Sequence, residues 1–213
     1  MSVDLALYEL RFSPNNIKAR VALGYKGLEH TLIPVDPADR GTVIAVSGQP
    51  LTPVLKHGST VIFDSGAILR YLDANFPQAP RLFSADYSKM RAIEEWEHFG
   101  RGAAIAPVGR MFRAVFGGDR DPEVGRLASA ALATVSERIE ARLAEAEWLV
   151  GDRMTAADVT VAPPIWYGML PESVASRFEM LAFFAANLHL GAGRERTRAW
   201  VNRVLAHDGG LRL

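Results

Sequence analysis

The stretch LYELRFSPNNIKARVAL, Leu7 to Leu23, carries the first residues with chemical potential. A strand-like run meets Ser13-Pro14-Asn15 and turns helical. Ser13 stands at the N-cap position and Pro14 at the first helical position, where its missing N–H costs nothing. A helix start presents unpaired N–H groups and a partial positive charge, so it favours an anion. A thiol held there ionises below its usual value of roughly 8.5, and a serine hydroxyl donating to the thiolate favours the charged form further. The chain contains no cysteine, so any such thiol belongs to a small molecule. A hydroxyl that merely caps the helix fits the same residues, and the corner alone leaves both readings open.

A second stretch, Ser47 to Leu72, adds Thr52-Pro53 at the entry of a strand and Asp64-Ser65 at another helix start. Proline donates nothing to a β-ladder and belongs at strand starts or edges. A cis Thr52–Pro53 bond would leave the backbone groups of Thr52 facing outward, free to pair with a peptide-like ligand. At the helix start, Ser65 reads as an N-cap with Asp64 complementing the dipole. Alternatively, Ser65 receives a carboxylate while Asp64 receives an ammonium, which fits an amino-acid head group.

These groups need elements to hold them. Asp4–Glu9 reads as a strand, Ile17–Lys26 as a helix stopped at Gly27, and His30–Val35 as a strand. Gly41–Val46 is ambiguous. Pro53–Lys56 and Thr60–Phe63 flank His57-Gly58-Ser59 as a hairpin, and Ser65–Phe76 is a helix. Pro77 to Ser88 reads as a connecting stretch. Beyond it the pattern is helical: Lys89–Phe116 with a bend near Pro107 and Gly109, Glu123–Trp148, a helix from Thr155 disturbed by Pro163-Pro164, Glu172–Leu188 and Arg196–His207. The expected fold class is α/β followed by all-α, with residues 1–78 as the first domain, 79–88 as linker and 89–213 as the helical domain.

Composition excludes several functions. The 213 residues are 49% hydrophobic, ample for a core, and Lys+Arg and Asp+Glu both number 24. Zero formal charge gives no general attraction to nucleic acid or an acidic membrane. No apolar run approaches the roughly 20 residues of a membrane span, and the N-terminus lacks a secretion pattern. The expectation is a soluble cytoplasmic protein. Five scattered histidines offer no metal-ligand spacing, so no metal site is expected.

In order and separation these segments resemble the glutathione transferase family over nearly the whole chain. LYELRFSPNNIKARVALGYKGLEH is similar to its first strand, catalytic corner and first helix; TPVL to the strand after its cis-proline; DSGAILRYL to its glutamyl-binding motif. GDRMTAADV, with Thr155 and Asp158 in capping-box spacing, is similar to its folding motif in the helical domain. The resemblance implies a thioredoxin-like domain followed by a helical domain, commonly a homodimer, with glutathione as co-substrate. It implies that Ser13 activates the thiol, helped by Asn15, for attack on a small apolar electrophile in detoxification. Thr52 and Pro53 would hold the cysteinyl part, Asp64 and Ser65 the γ-glutamyl end, and Gln49 the glycine carboxylate. Arg11, Phe12, Met111, Phe112, Phe116 and Trp166 are candidate walls for the electrophile. The alternatives are another glutathione-dependent reaction (isomerase, dehalogenase, ether cleavage, peroxidase) or a non-catalytic binding protein of the same fold.

Overall fold

A computed structural model describes residues 4–118 and 121–211. The chain divides into two compact units. One holds the described residues up to Ala85 together with those from Leu205 onward; the other is Asp86–Val204.

In the first unit the order is β1 (Leu5–Glu9), α1 (Pro14–Tyr25), β2 (Thr31–Pro34), α2 (Gly41–Ser47), β3 (Val54–His57), β4 (Thr60–Phe63) and α3 (Ser65–Asn75). The sheet runs β2-β1-β3-β4. β1 pairs with β2 in parallel, Leu7 opposite Leu32, and with β3 antiparallel, Leu7 opposite Leu55. The parallel pair requires a crossover, which α1 supplies. β1 lies inside the sheet, so Leu5, Leu7 and Tyr8 are all buried. Gly58, at φ +57°, turns the β3–β4 hairpin. The ambiguous Gly41–Val46 segment is helical and ends where Gly48 takes a left-handed conformation, its N–H on the Ile44 carbonyl. After α3 the chain is tied down: Asp73 pairs with Lys26 at 2.8 Å and accepts from the Leu82 and Phe83 N–H groups at 3.0 and 2.9 Å.

The second unit is helical: α4 (Tyr87–Phe99), a π-helical turn (Gly100–Ala104), α5 (Ala106–Gly117), α6 (Pro122–Glu145), α7 (Ala156–Trp166), a 3₁₀ turn (Tyr167–Met169), α8 (Glu172–Ala175), α9 (Glu179–Asn187) and α10 (Glu195–Leu205). Every residue of α7 is buried. Three expectations are corrected here. The break in the long helical region falls at Gly100–Ala104, while Pro107 sits at the start of α5, where a proline is tolerated. Pro163 and Pro164 do not interrupt α7; they occupy its last turns, and complete burial holds the helix through them. Residues 172–188 form two helices, because the chain tightens into i→i+3 bonds from Arg177 to Val174 and from Phe178 to Ala175.

The π turn packs hard on α7. A Cβ at Gly100 would stand 2.8 Å from Thr160 Cγ2 and 3.2 Å from Val161 Cγ2, both on stiff β-branched side chains. Gly100→Ala is therefore expected to lower stability by about 1–3 kcal/mol through overpacking, read as a lower urea midpoint at unchanged slope.

Candidate functional site

The corner after β1 is a hydrogen-bonded turn. The Ser13 N–H donates to the Leu10 carbonyl at 3.0 Å, and the Ser13 carbonyl accepts from the Asn16 and Ile17 N–H groups at 2.9 and 3.0 Å. Ser13 occupies the N-cap of α1 in an extended conformation, yet its side chain makes no capping hydrogen bond. The bland account of the serine, a hydroxyl spent on its own helix, does not hold. The half-buried hydroxyl stands at the helix start with its oxygen accepting no bond from the helix N–H groups, so the side chain is not held in a capping geometry.

At α3 the sequence reading reverses. Asp64, not Ser65, is the N-cap: its Oδ1 accepts from the Gly66 and Ala67 N–H groups at 2.8 and 3.1 Å. One carboxylate oxygen satisfies both amides, leaving Oδ2 outside the cap. Asp64 holds φ +73°, the one positive-φ residue other than glycine among the described residues. This conformation is uncommon for a side-chain-bearing residue and costs on the order of 1–3 kcal/mol. Ser65 is 7% exposed at the first helical position.

The Thr52–Pro53 bond is cis, as anticipated. Among the described residues the Thr52 N–H and C=O enter no backbone hydrogen bond. Half-exposed main-chain groups of this kind are met by water or by a ligand. A hollow of about 180 Å³ opens beside them, lined by Asn15, Gln49, Leu51, Thr52, Pro53, Phe63, Asp64 and Ser65. The structure thus gathers six of the expected site residues on one face of the first unit. Ser13 is not among these walls; Asn15, two residues further along the same corner, is. Gln49 lines the hollow while bracing its own loop, donating to Ser47 Oγ and the Leu51 carbonyl at 2.9 Å each and accepting from the Leu51 N–H at 2.7 Å.

Sequence reading missed Asn16. Fully buried, it donates from Nδ2 to Thr52 Oγ1 at 3.0 Å and so joins the start of α1 to the cis-proline loop. Its one signal is a polar residue within a run of α1 that is otherwise to be buried. Arg11 is exposed, its guanidinium 5.7 Å from the Phe12 ring centre.

The remaining candidates lie in the second unit. Phe112 and Phe116 stack with ring centres 5.9 Å apart and an 8° interplanar angle, and Phe112 also meets Tyr167 and Phe184. Phe116 is 71% exposed, whereas Met111 is fully buried and Trp166 is 6% exposed, packed on Tyr167. Among these aromatic candidates Phe116 presents the most open apolar face. Among the described residues no helix is long and apolar enough to cross a membrane.

Two family models match the chain. Residues 7–80 match the family model described as "Glutathione S-transferase, N-terminal domain", and residues 119–208 match "Glutathione S-transferase, C-terminal domain". Glutathione S-transferase 3 of Zea mays is 29% identical over 205 residues, covering 92% of this chain and 89% of its own. Among solved structures, a glutathione S-transferase domain-containing protein of Marinobacter aquaeolei superposes with a TM-score of 0.72 at 25% identity, over 94% of this chain and 97% of the other. The glutathione transferase URE2P8 of Phanerochaete chrysosporium, solved with oxidized glutathione, superposes with a TM-score of 0.75 at 19% identity, over 96% of this chain and 90% of its own.

Proposed function

Because the chain belongs to the glutathione S-transferase family, we propose that it binds glutathione at the α1 and α3 helix starts and activates its thiol for attack on a small apolar electrophile. The observation that carries this reading is the Ser13 side chain, which stands at the N-terminus of α1 without capping it. Its O–H donates to the sulfur, and the α1 dipole adds a favourable potential. Both stabilise the thiolate, which raises the nucleophile's concentration near neutral pH. The electrophile gains its rate from being held beside that sulfur. Asn15 adds a second polar contact at the corner.

The chain's other residues bind and orient. The unpaired Thr52 N–H and C=O match a peptide backbone in extended form. Asp64 Oδ2 receives the α-ammonium of the γ-glutamyl group, and the Ser65 hydroxyl and α3 N-terminus receive its carboxylate. Gln49 also lines the hollow and would reach the glycine carboxylate by releasing one of the Nε2 hydrogens it now donates to Ser47 Oγ and the Leu51 carbonyl. The assembly we propose is a cytoplasmic homodimer with a detoxifying role, supported by the family; light scattering on a size-exclusion column tests the dimer.

Calorimetric titration with glutathione tests the binding site. Asp64→Asn keeps an acceptor oxygen for the Gly66 and Ala67 amides but removes the charge. It is expected to weaken glutathione binding about tenfold or more, the loss of one charge-assisted bond, with little change in thermal midpoint. Affinity equal to wild type would remove Asp64 from the ammonium site. A wild-type protein showing neither heat nor an ultraviolet thiolate band with glutathione would overturn the reading as a whole.

A further inference from the structure

We propose that Arg20 is a positioning residue for the Ser13 corner, locking the end of β1, the turn before Ser13 and the C-terminal segment into one hydrogen-bonded unit. The proposal rests on the reading of Ser13 as the thiolate donor.

The Arg20 side chain is wholly buried in α1 and addresses three separate parts of the chain. Nη1 donates to the Glu9 carboxylate at the end of β1. Nη2 donates to the Arg11 carbonyl at 2.9 Å, in the turn that Ser13 closes on Leu10. Nε and Nη2 together grip Asp208, at 2.7 and 2.9 Å to its two oxygens, across 188 positions of sequence. Four of the five N–H bonds available to a guanidinium are accounted for by these contacts. Glu9 in turn holds β2, its carbonyl accepting from the Val35 N–H at 2.9 Å.

The C-terminal segment is built to stay in this place. Asp208 is 1% exposed, and its Oδ1 also accepts from the Gly210 N–H at 2.8 Å. Glycine is required on both sides of the contact. A Cβ at Gly210 would stand 2.5 Å from Arg20 Nε, and one at Gly24 would overlap the His207 carbonyl oxygen. The Tyr25 and His207 rings meet edge to face at 5.4 Å. Residues 207–210 therefore pack against α1 from Arg20 to Tyr25.

The charges facing the guanidinium are Glu9 and Asp208, with Arg11 beside Glu9. Burial pushes the Glu9 carboxyl up, and the Arg20 charge offsets part of that. Burial acts to lower the Arg20 guanidinium, but Asp208 and Glu9 outweigh it and hold it above its ordinary range. Such a cluster is a weak source of stability, because apolar packing often replaces a buried ion pair at no cost. What it supplies here is direction. A planar fork meets three partners at set angles, which the point charge of a lysine does not. Since α1 begins one residue after Ser13, the setting of α1 against the corner sets where the hydroxyl stands.

The test uses Arg20→Lys and Asp208→Asn in the full chain, the second guarding against a folding defect in the first. Both are expected to lower kcat roughly tenfold, the effect of a slightly misplaced reacting group, with KM for glutathione within about twofold, since the Asp64 end is untouched. Both should raise the pH midpoint of the bound thiolate band and speed amide hydrogen exchange at Ser13 while the β3–β4 hairpin stays protected. Wild-type kcat, thiolate midpoint and Ser13 exchange in both variants would overturn the proposal. So would faster exchange throughout the first unit with an unchanged thiolate midpoint, the signature of a purely structural role. If wild type itself shows no thiolate band, the glutathione reading fails separately, and Ser13 exchange in the two variants decides the positioning role.

Discussion

Ser13→Ala will lower kcat by about 10- to 100-fold while leaving KM for glutathione within about twofold. The hydroxyl at this corner makes no cap bond, so its removal leaves no helix N–H newly unpaired and the fold should be unaffected. What is lost is one hydrogen bond to an ionised sulfur, worth roughly 1.5–3 kcal/mol, which converts to about that range of rates. Binding is spread over the Thr52 backbone, Asp64 and Ser65, which explains the small change in KM. Ser13→Thr, which keeps the donor, should retain most of the activity. Steady-state kinetics with a standard aromatic electrophile, together with the pH midpoint of the thiolate band, measures both parameters. Unchanged turnover in Ser13→Ala would transfer the donor role to Asn15, the other polar side chain of the corner.

Asp158→Ala will destabilise the helical unit by roughly 3–5 kcal/mol, the scale of losing a buried polar network. The carboxylate is fully buried and serves four donors. Oδ1 accepts from the Leu149 N–H at 3.0 Å and Trp200 Nε1 at 2.9 Å; Oδ2 accepts from the Thr155 N–H at 2.9 Å and Thr155 Oγ1 at 3.0 Å. One side chain thus closes the capping box of α7 and joins it to the loop before it and to α10. Truncation leaves those donors without partners in a dry interior. Asp158→Asn keeps one acceptor oxygen and drops the buried charge, so it should lose less.

The pH dependence separates charge from geometry. Burial pushes the Asp158 carboxyl above its ordinary value of 3.8, and the donors from Leu149, Thr155 and Trp200 offset only part of that. The folded state therefore holds the proton more tightly than the unfolded chain. The group's stabilisation is fully present below 3.8 and declines as pH rises through the folded value. The advantage of wild type over Asp158→Asn should narrow as pH rises from the acid side toward neutrality. Chemical denaturation of both proteins across that range gives the comparison; a gap that widens with pH would mean that the folded site prefers the carboxylate.

The sequence by itself determined the features that nearest neighbours along the chain control. A Ser-Pro before an apolar-periodic run, Thr-Pro before a strand, glycine at a hairpin turn and Thr-x-x-Asp before a helix are local chemistry, legible in any context. They supply the element order of the first unit apart from α2, which stays ambiguous, and the Thr155–Asp158 box; the cis form of Thr52–Pro53 is an expectation of the family resemblance, since most X–Pro bonds are trans. Tertiary structure decided which group spends its hydrogen bonds where. Ser13 and Ser65 both read as caps from local sequence, but Ser65 is the first residue of α3, whose cap is Asp64, and α1 is capped by no side chain. Asn16 meets Thr52 only because α1 folds back beside the β3 entry, and Arg20 meets Asp208 only because the C-terminal segment returns to the first unit. Local chemistry makes Pro163 and Pro164 a disturbance of the helix that starts after Thr155; burial on all sides of α7 overrides it. Short-range patterns set the order of the parts, while hydrogen-bond partners and helix continuity depend on what long-range packing brings alongside.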